Sequence, residues 1–251
     1  NPLHGCGYVG TDGKRHPTYP TFAVREMLRR ICLLTRARNP ENIVDVHCSW
    51  GYNMPALAYA DVMWNGERWF QFRARKPESA AAELPVGRFL VEHTGRQIGI
   101  AADILTYRLG GDMAAAGVSL LYDVPPRFNS TETFFTRLYK MREEFGIKAA
   151  EKFFFYDNHG AAAVTPEAVK ATLFNHPHNG MLLFVSNWSM QAQNATVKLN
   201  LPLLKQSGTA WQGIDYLAGT PVAVSPEGEF KIALSPQQWT YIWIKKEIIW
   251  L

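Results

Sequence analysis

Two carboxylates, Asp61 and Glu67, stand at the ends of the stretch DVMWNGE, with Trp64 between them and Gly66 permitting a turn. A pair of carboxyl groups, one protonated and one ionised, is the minimal equipment for acid/base cleavage of a glycosidic bond. Trp50 and Tyr52 lie just upstream, and Tyr59 and Trp69 are close by in the chain. Indole and phenol rings offer flat apolar faces with a polar edge, which suits the C–H face of a sugar ring. Asp61 and Glu67 are therefore the catalytic candidates, and Trp50, Tyr52 and Trp64 the binding candidates. The same spacing fits a turn cap and a surface charge on a hairpin, and both readings stand at this point.

Asp45 and His47 alternate in VDVHCS, so both point to one side of their strand. His47 is a candidate for holding a sugar hydroxyl or orienting a carboxylate, or else a satisfied structural histidine. Asp123 closes the run GVSLLYD ahead of Val124-Pro125-Pro126. If that run is a strand, Asp123 sits at its C-terminal end and is a further binding candidate; an Asp before a proline turn is also ordinary loop chemistry.

Other chemistries find no support. A GxxxxGK[ST] phosphate loop and a GxSxG elbow are absent from the sequence. Cys6, Cys32 and Cys48 lack zinc spacing and read as buried thiols, and His176 and His178 in NHPHNG read as a polar turn, so neither a metal nor a cofactor is expected. The net charge is +4, but the densest basic run (Arg25, Arg29, Arg30, Arg36, Arg38) falls on one helical pattern and reads as a solvated face, which argues against nucleic acid. No apolar run approaches the roughly 18 residues of a membrane helix, so no membrane partner is expected.

The elements that must position these residues divide the 251-residue chain in two. Residues 1–148 alternate helical and strand-like periods, which predicts βα units and a mostly parallel sheet. Helices are expected at Pro20 to Arg38, Leu84 to His93 and Thr131 to Phe145, a strand at Asn42 to Cys48, a long connection from Trp50 to Gly66, and a buried strand at Gly117 to Tyr122. From residue 149 to residue 251, short runs punctuated by Gly, Pro, Asn and Ser predict an antiparallel β-sandwich. A complete eightfold βα barrel takes about 250 residues, so the first part is either part of a barrel or a smaller open α/β layer.

The stretches HGCGYVGTDGKRHPTYPTFAVREMLRR, VDVHCSW and PALAYADVMWNGERW resemble later barrel segments of bacterial glycoside hydrolases related to the β-N-acetylgalactosaminidase group, family 123-like. GMLLFVSNWSMQAQNATVKLNL and GIDYLAGTPV are similar to the sandwich that ends many barrel glycosidases. The resemblance implies an α/β plus all-β chain: a partial (β/α)8 TIM-type barrel followed by an antiparallel β-sandwich. It implies a glycosidase, or the C-terminal part of one, with a carbohydrate substrate, no obligatory cofactor, and a secreted or periplasmic setting. Members of that group use an adjacent Asp-Glu pair, and this sequence has no Asp-Glu dipeptide. On this resemblance the acid would lie on barrel sequence supplied from upstream or by another chain. The alternative is a noncatalytic carbohydrate-binding or scaffolding module.

Overall fold

The computed structural model describes residues 7–48, 54–66, 85–95, 99–105, 112–127, 132–207 and 210–246. A short hairpin, β1 (Tyr8–Val9) with β2 (Arg15–His16), precedes the long helix α1 (Thr21–Arg38). Pro20 stands just before the first turn of α1, and Arg36 and Arg38 lie in its last turn, where cations favour the helix dipole. The basic run is largely absorbed locally: Glu26 accepts from Arg29 at 2.8 Å and Arg30 at 3.0 Å, and Arg25 donates to the Tyr59 hydroxyl at 3.1 Å. Leu28 and Cys32, one turn apart, face the interior, whereas Phe22, Met27 and Leu34 are 78%, 51% and 67% exposed. The apolar stripe read along this helix is thus only partly used by the described core.

Four parallel strands follow in chain order: β3 (Asp45–His47), β4 (Val62–Asn65), β5 (Ala101–Leu105) and β6 (Pro126–Arg127). Between them come α2 (Met54–Leu57), α3 (Val86–His93) and α4 (Asp112–Ser119), the last running into a 3-10 turn at Leu120–Tyr122; α5 (Glu132–Phe145) comes after β6. This is the expected βα alternation, with two corrections. The segment read as one long connection holds α2 and β4. GVSLLY is not a strand: its residues finish α4 and form the 3-10 turn, since a short apolar run buried on all sides carries no period that separates strand from helix.

The C-terminal part is one continuous nine-stranded antiparallel sheet in the order β7-β9-β10-β15-β12-β13-β14-β11-β8. Its strands are β7 (Glu151–Phe153), β8 (Ala162–Thr165), β9 (Val169–His176), β10 (Gly180–Asn187), β11 (Gln193–Leu199), β12 (Trp211–Asp215), β13 (Thr220–Val224), β14 (Glu229–Leu234) and β15 (Trp239–Lys246). The sheet curls so that its two halves face each other around Leu173, Leu183, Val185, Val197, Phe230, Ile232 and Ile242. Two separate sheets are therefore replaced by one sheet folded on itself.

The outer face of β9, β10 and β15 is largely covered by the helices. Phe174, Leu182, Phe184, Trp239 and Tyr241 pack there against Phe89 of α3, Ala115 and Val118 of α4, Leu120 and Leu121 of the 3-10 turn, and Phe135, Leu138, Met141 and Phe145 of α5. Gly117 lets α4 come close, because a Cβ there would stand 2.9 Å from the Trp239 ring. Polar ties cross the same boundary: Trp239 Nε1 donates to the Met113 carbonyl at 2.7 Å, and Thr172 Oγ1 to the Leu121 carbonyl at 2.6 Å. The two sheets thus each keep a cluster of their own and share a third between them.

Candidate functional site on the open face of the parallel sheet

Alternation sorts the parallel strands into two faces. Val46, Met63, Ala102 and Ile104 turn toward the helices, where Leu57 and Phe89 cover them. The opposite face carries Asp45 and His47 from β3, Trp64 from β4, Asp103 from β5 and Arg127 from β6. The register sets His47 beside Trp64 and Trp64 beside Asp103. In a closed barrel this is the inward face, and its C-terminal rim is where such folds place their sites.

The side chains on this face form one connected cluster. His47 stacks on Trp64 with centroids 3.7 Å apart and planes 6° apart, and the Arg127 guanidinium lies over the Trp64 ring at 4.5 Å. Arg127 Nη1 bonds to Asp45 Oδ2 and lies 3.4 Å from Asp103 Oδ2. Asp103 Oδ1 is buried and has no hydrogen-bond partner among the described residues. Burial above all, and then the Asp45 charge, lifts the Asp103 carboxyl to about 6, against the opposing pull of Arg127. The Cys48 thiol, at the end of β3, is pushed up to about 11 by burial and then by Asp45; Cys32 and Cys48 are free and buried, and Cys6 lies outside the described residues.

The sequence candidates separate in space. His47 and Trp64 come together on the open face. The Trp64 ring is already engaged by His47 and Arg127, so a sugar stacks on it only by displacing one of them. Asp61 stands just before β4, at the opposite end of the strand from the rim; it accepts from the Val44 N–H at 2.9 Å and pairs with Arg36 of α1. That geometry ties α1 to the sheet and does not bring Asp61 to His47 and Trp64. Asp123 is not at a strand end. It follows the 3-10 turn at φ 58°, ahead of β6, and holds Arg142 of α5 and, at 2.5 Å, Lys152 Nζ of β7. Arg142 also donates to the Tyr241 hydroxyl, so Asp123 belongs to the junction between the two halves. Glu67, Trp50 and Tyr52 lie outside the described residues.

Asp103 and Arg127 were missed because each sits in a segment too short to show a period, AADIL and PR. The alternation that singled out Asp45 and His47 is the signal that also places Asp103 opposite Ile104. His176 and His178 stay a turn motif: His176 Nδ1 accepts the backbone N–H groups of His178 and Asn179. Among the described residues no group of His, Cys, Asp and Glu is arranged to hold a metal, and no helix is long and apolar enough to cross a membrane.

No family model matches the sequence, and no curated protein matches it. Solved structures do match by fold. An α-amylase from Anoxybacillus superposes with a TM-score of 0.56 at 10% identity, over 92% of this chain and 57% of that one. The α-amylase from H. orenii gives 0.50 at 12% identity, over 89% and 57% of the two chains. A GH27 β-L-arabinopyranosidase from Geobacillus stearothermophilus, in complex with arabinose, gives 0.50 at 10% identity, over 92% and 55%. At these identities the likeness is one of fold: the chain has a glycoside hydrolase-like fold and spans somewhat more than half the length of each of these structures.

Proposed function

We propose that this chain forms part of the barrel, and the adjoining β domain, of a glycoside hydrolase that cleaves oligo- or polysaccharides by carboxylate acid/base chemistry. The observation that carries this reading is the open face of the parallel sheet, where carboxylate, imidazole, indole and guanidinium groups converge while the other face is sealed by helices. Retaining and inverting glycosidases alike need two carboxyl groups across the scissile bond. By chain order, Trp50 and Tyr52 follow β3 and Glu67 follows β4, and the segments that follow barrel strands are where barrel enzymes place binding and catalytic groups. Glu67 is the rim carboxylate of this proposal, His47 the group that takes a sugar hydroxyl, and Asp61 has no part in the chemistry. An eight-stranded barrel needs further strands beside these four, and the exposed Phe22, Met27 and Leu34 of α1 offer the surface that a preceding or partner βα unit would cover.

The test is hydrolysis of a panel of aryl-glycosides by the protein at its natural length. Turnover is expected, with a loss of about 10²- to 10⁴-fold in Glu67→Gln while saccharide binding persists. One observation favours a second reading, a noncatalytic carbohydrate-binding module. Arg127 already engages both Asp45 and Asp103, so its guanidinium is occupied without a substrate. Saccharide binding by the unmodified protein without release of any aglycone would select that module.

A further inference from the structure

We propose that Asp103 is the proton-holding carboxyl of the open face, and that Arg127, which grips Asp103 and Asp45 through a single nitrogen, is its positioning residue. The proposal rests on the glycosidase reading only for the use made of the proton. One guanidinium between two carboxylates neutralises one charge, and its nearer contact is with Asp45. Asp45 is also the better hydrated of the two, with its side chain 28% exposed against 17% for Asp103. A proton therefore goes to Asp103 at the smaller cost, because an ionised carboxyl is penalised most where water and donors are fewest. Asp103 Oδ1 fits that assignment: a buried carboxylate oxygen with no donor facing it is costly, whereas a carboxyl O–H at that position is a donor awaiting an acceptor. Among the described residues the titratable and charged groups around it are Asp45 from β3, Arg127 from β6 and, through space, the Tyr139 phenol of α5.

The geometry also sets what the proton meets. Asp103 shares a sheet level with Trp64 and His47, so a sugar lying across that layer stands beside the Asp103 carboxyl. In glycoside cleavage the Asp103 proton passes to the leaving oxygen as its C–O bond breaks. Water then bonds to the anomeric carbon and its released proton restores the carboxyl, so water is the one co-reactant consumed. Arg127 touches no reacting atom in this scheme; lying over Trp64, it fixes the carboxyl in place.

Carboxyl titration in the intact protein, read by ¹³C NMR of labelled aspartate side chains with the Asp103 resonance identified by its loss in Asp103→Asn, tests this without any substrate. Asp103 should titrate near 6 in the unmodified protein. Arg127→Met should move it upward and Asp45→Asn downward, each by several tenths of a pH unit or more, with Arg127→Lys close to the unmodified value. An Asp103 midpoint in the ordinary carboxylate range overturns the proposal, as does a midpoint that ignores both Arg127→Met and Asp45→Asn. Because Asp45→Asn leaves Arg127 in place, it keeps the test decisive if Arg127→Met fails to fold. Shifted titration without glycoside hydrolysis sustains this assignment and removes the glycosidase reading. Hydrolysis with an ordinary Asp103 removes this assignment and leaves that reading intact.

Discussion

The two sheets of this protein use the same alternation for opposite ends. In the curled antiparallel sheet both faces of the central strands are spent on packing: every residue of β10 is buried, Leu183 and Val185 toward the curl and Leu182 and Phe184 toward the helices. In the parallel sheet the described helices cover one face, and the other presents Asp45, His47, Trp64, Asp103 and Arg127. The first arrangement stabilises, since fully burying an apolar side chain contributes about 1.5–3 kcal/mol. The second costs stability, since it holds a half-buried carboxyl pair around one cation, and such local cost is typical of sites that bind or react.

The largest expected effect lies at the junction. Phe184→Ala removes a fully buried ring that touches both halves, and a cost of about 3–5 kcal/mol is expected. Urea unfolding followed by circular dichroism and by tryptophan fluorescence should then shift in both signals together. If the α/β half melts apart from the sheet, the shared-core description is wrong. Next comes Arg142→Met, which leaves Asp123 with Lys152 alone and strips the Tyr241 hydroxyl of its cation; about 3 kcal/mol is expected in the same assay.

The two regions should also answer pH in opposite directions. Folded Asp103 holds its proton up to about 6 against a free value of 3.8, so its contribution to stability is complete below about 4 and is lost as pH rises through 6. His93, buried beside Phe89 at the junction, is held neutral down to about 3 by burial and then by Arg88. Its contribution is complete above 6.5 and is lost as pH falls toward 3. Asp103→Asn should therefore flatten the loss of stability between pH 4 and 7, a difference of roughly 3 kcal/mol at most, read from denaturation midpoints across that range. An unchanged slope would mean that Asp103 titrates as an ordinary carboxyl. The smallest effect belongs to Asp61→Ala, about 1–2 kcal/mol for one charge-assisted bond and a half-exposed ion pair, seen in the melting temperature and without change in turnover per folded molecule.

Much of the fold was legible. β14 reads EFKIAL with alternate residues buried, and α5 fills nearly all of the helix expected up to Phe145, with Gly146 at φ 78° ending it. Where residues are buried on all sides the period vanishes, and GVSLLY was read as strand for that reason. Where a strand is only two to five residues long, as in β4, β5 and β6, the alternation is too brief to register, and Asp103 and Arg127 stayed hidden within it. Trp239 packs against α4 and donates to the Met113 carbonyl.

The amino-acid sequence alone determined the βα alternation of the first part, the switch to short antiparallel strands, and the absence of a GxxxxGK[ST] phosphate loop and a serine elbow. Those features depend on neighbours a few positions apart, which local sterics and turn chemistry govern. Only the tertiary structure decided that Arg127 reaches Asp45, 82 positions away, and that Asp61 and Asp123 serve as ties at other corners. Strand register is a non-local choice made by the packing of whole layers, so which polar side chains meet across a sheet is settled only when the sheet is assembled.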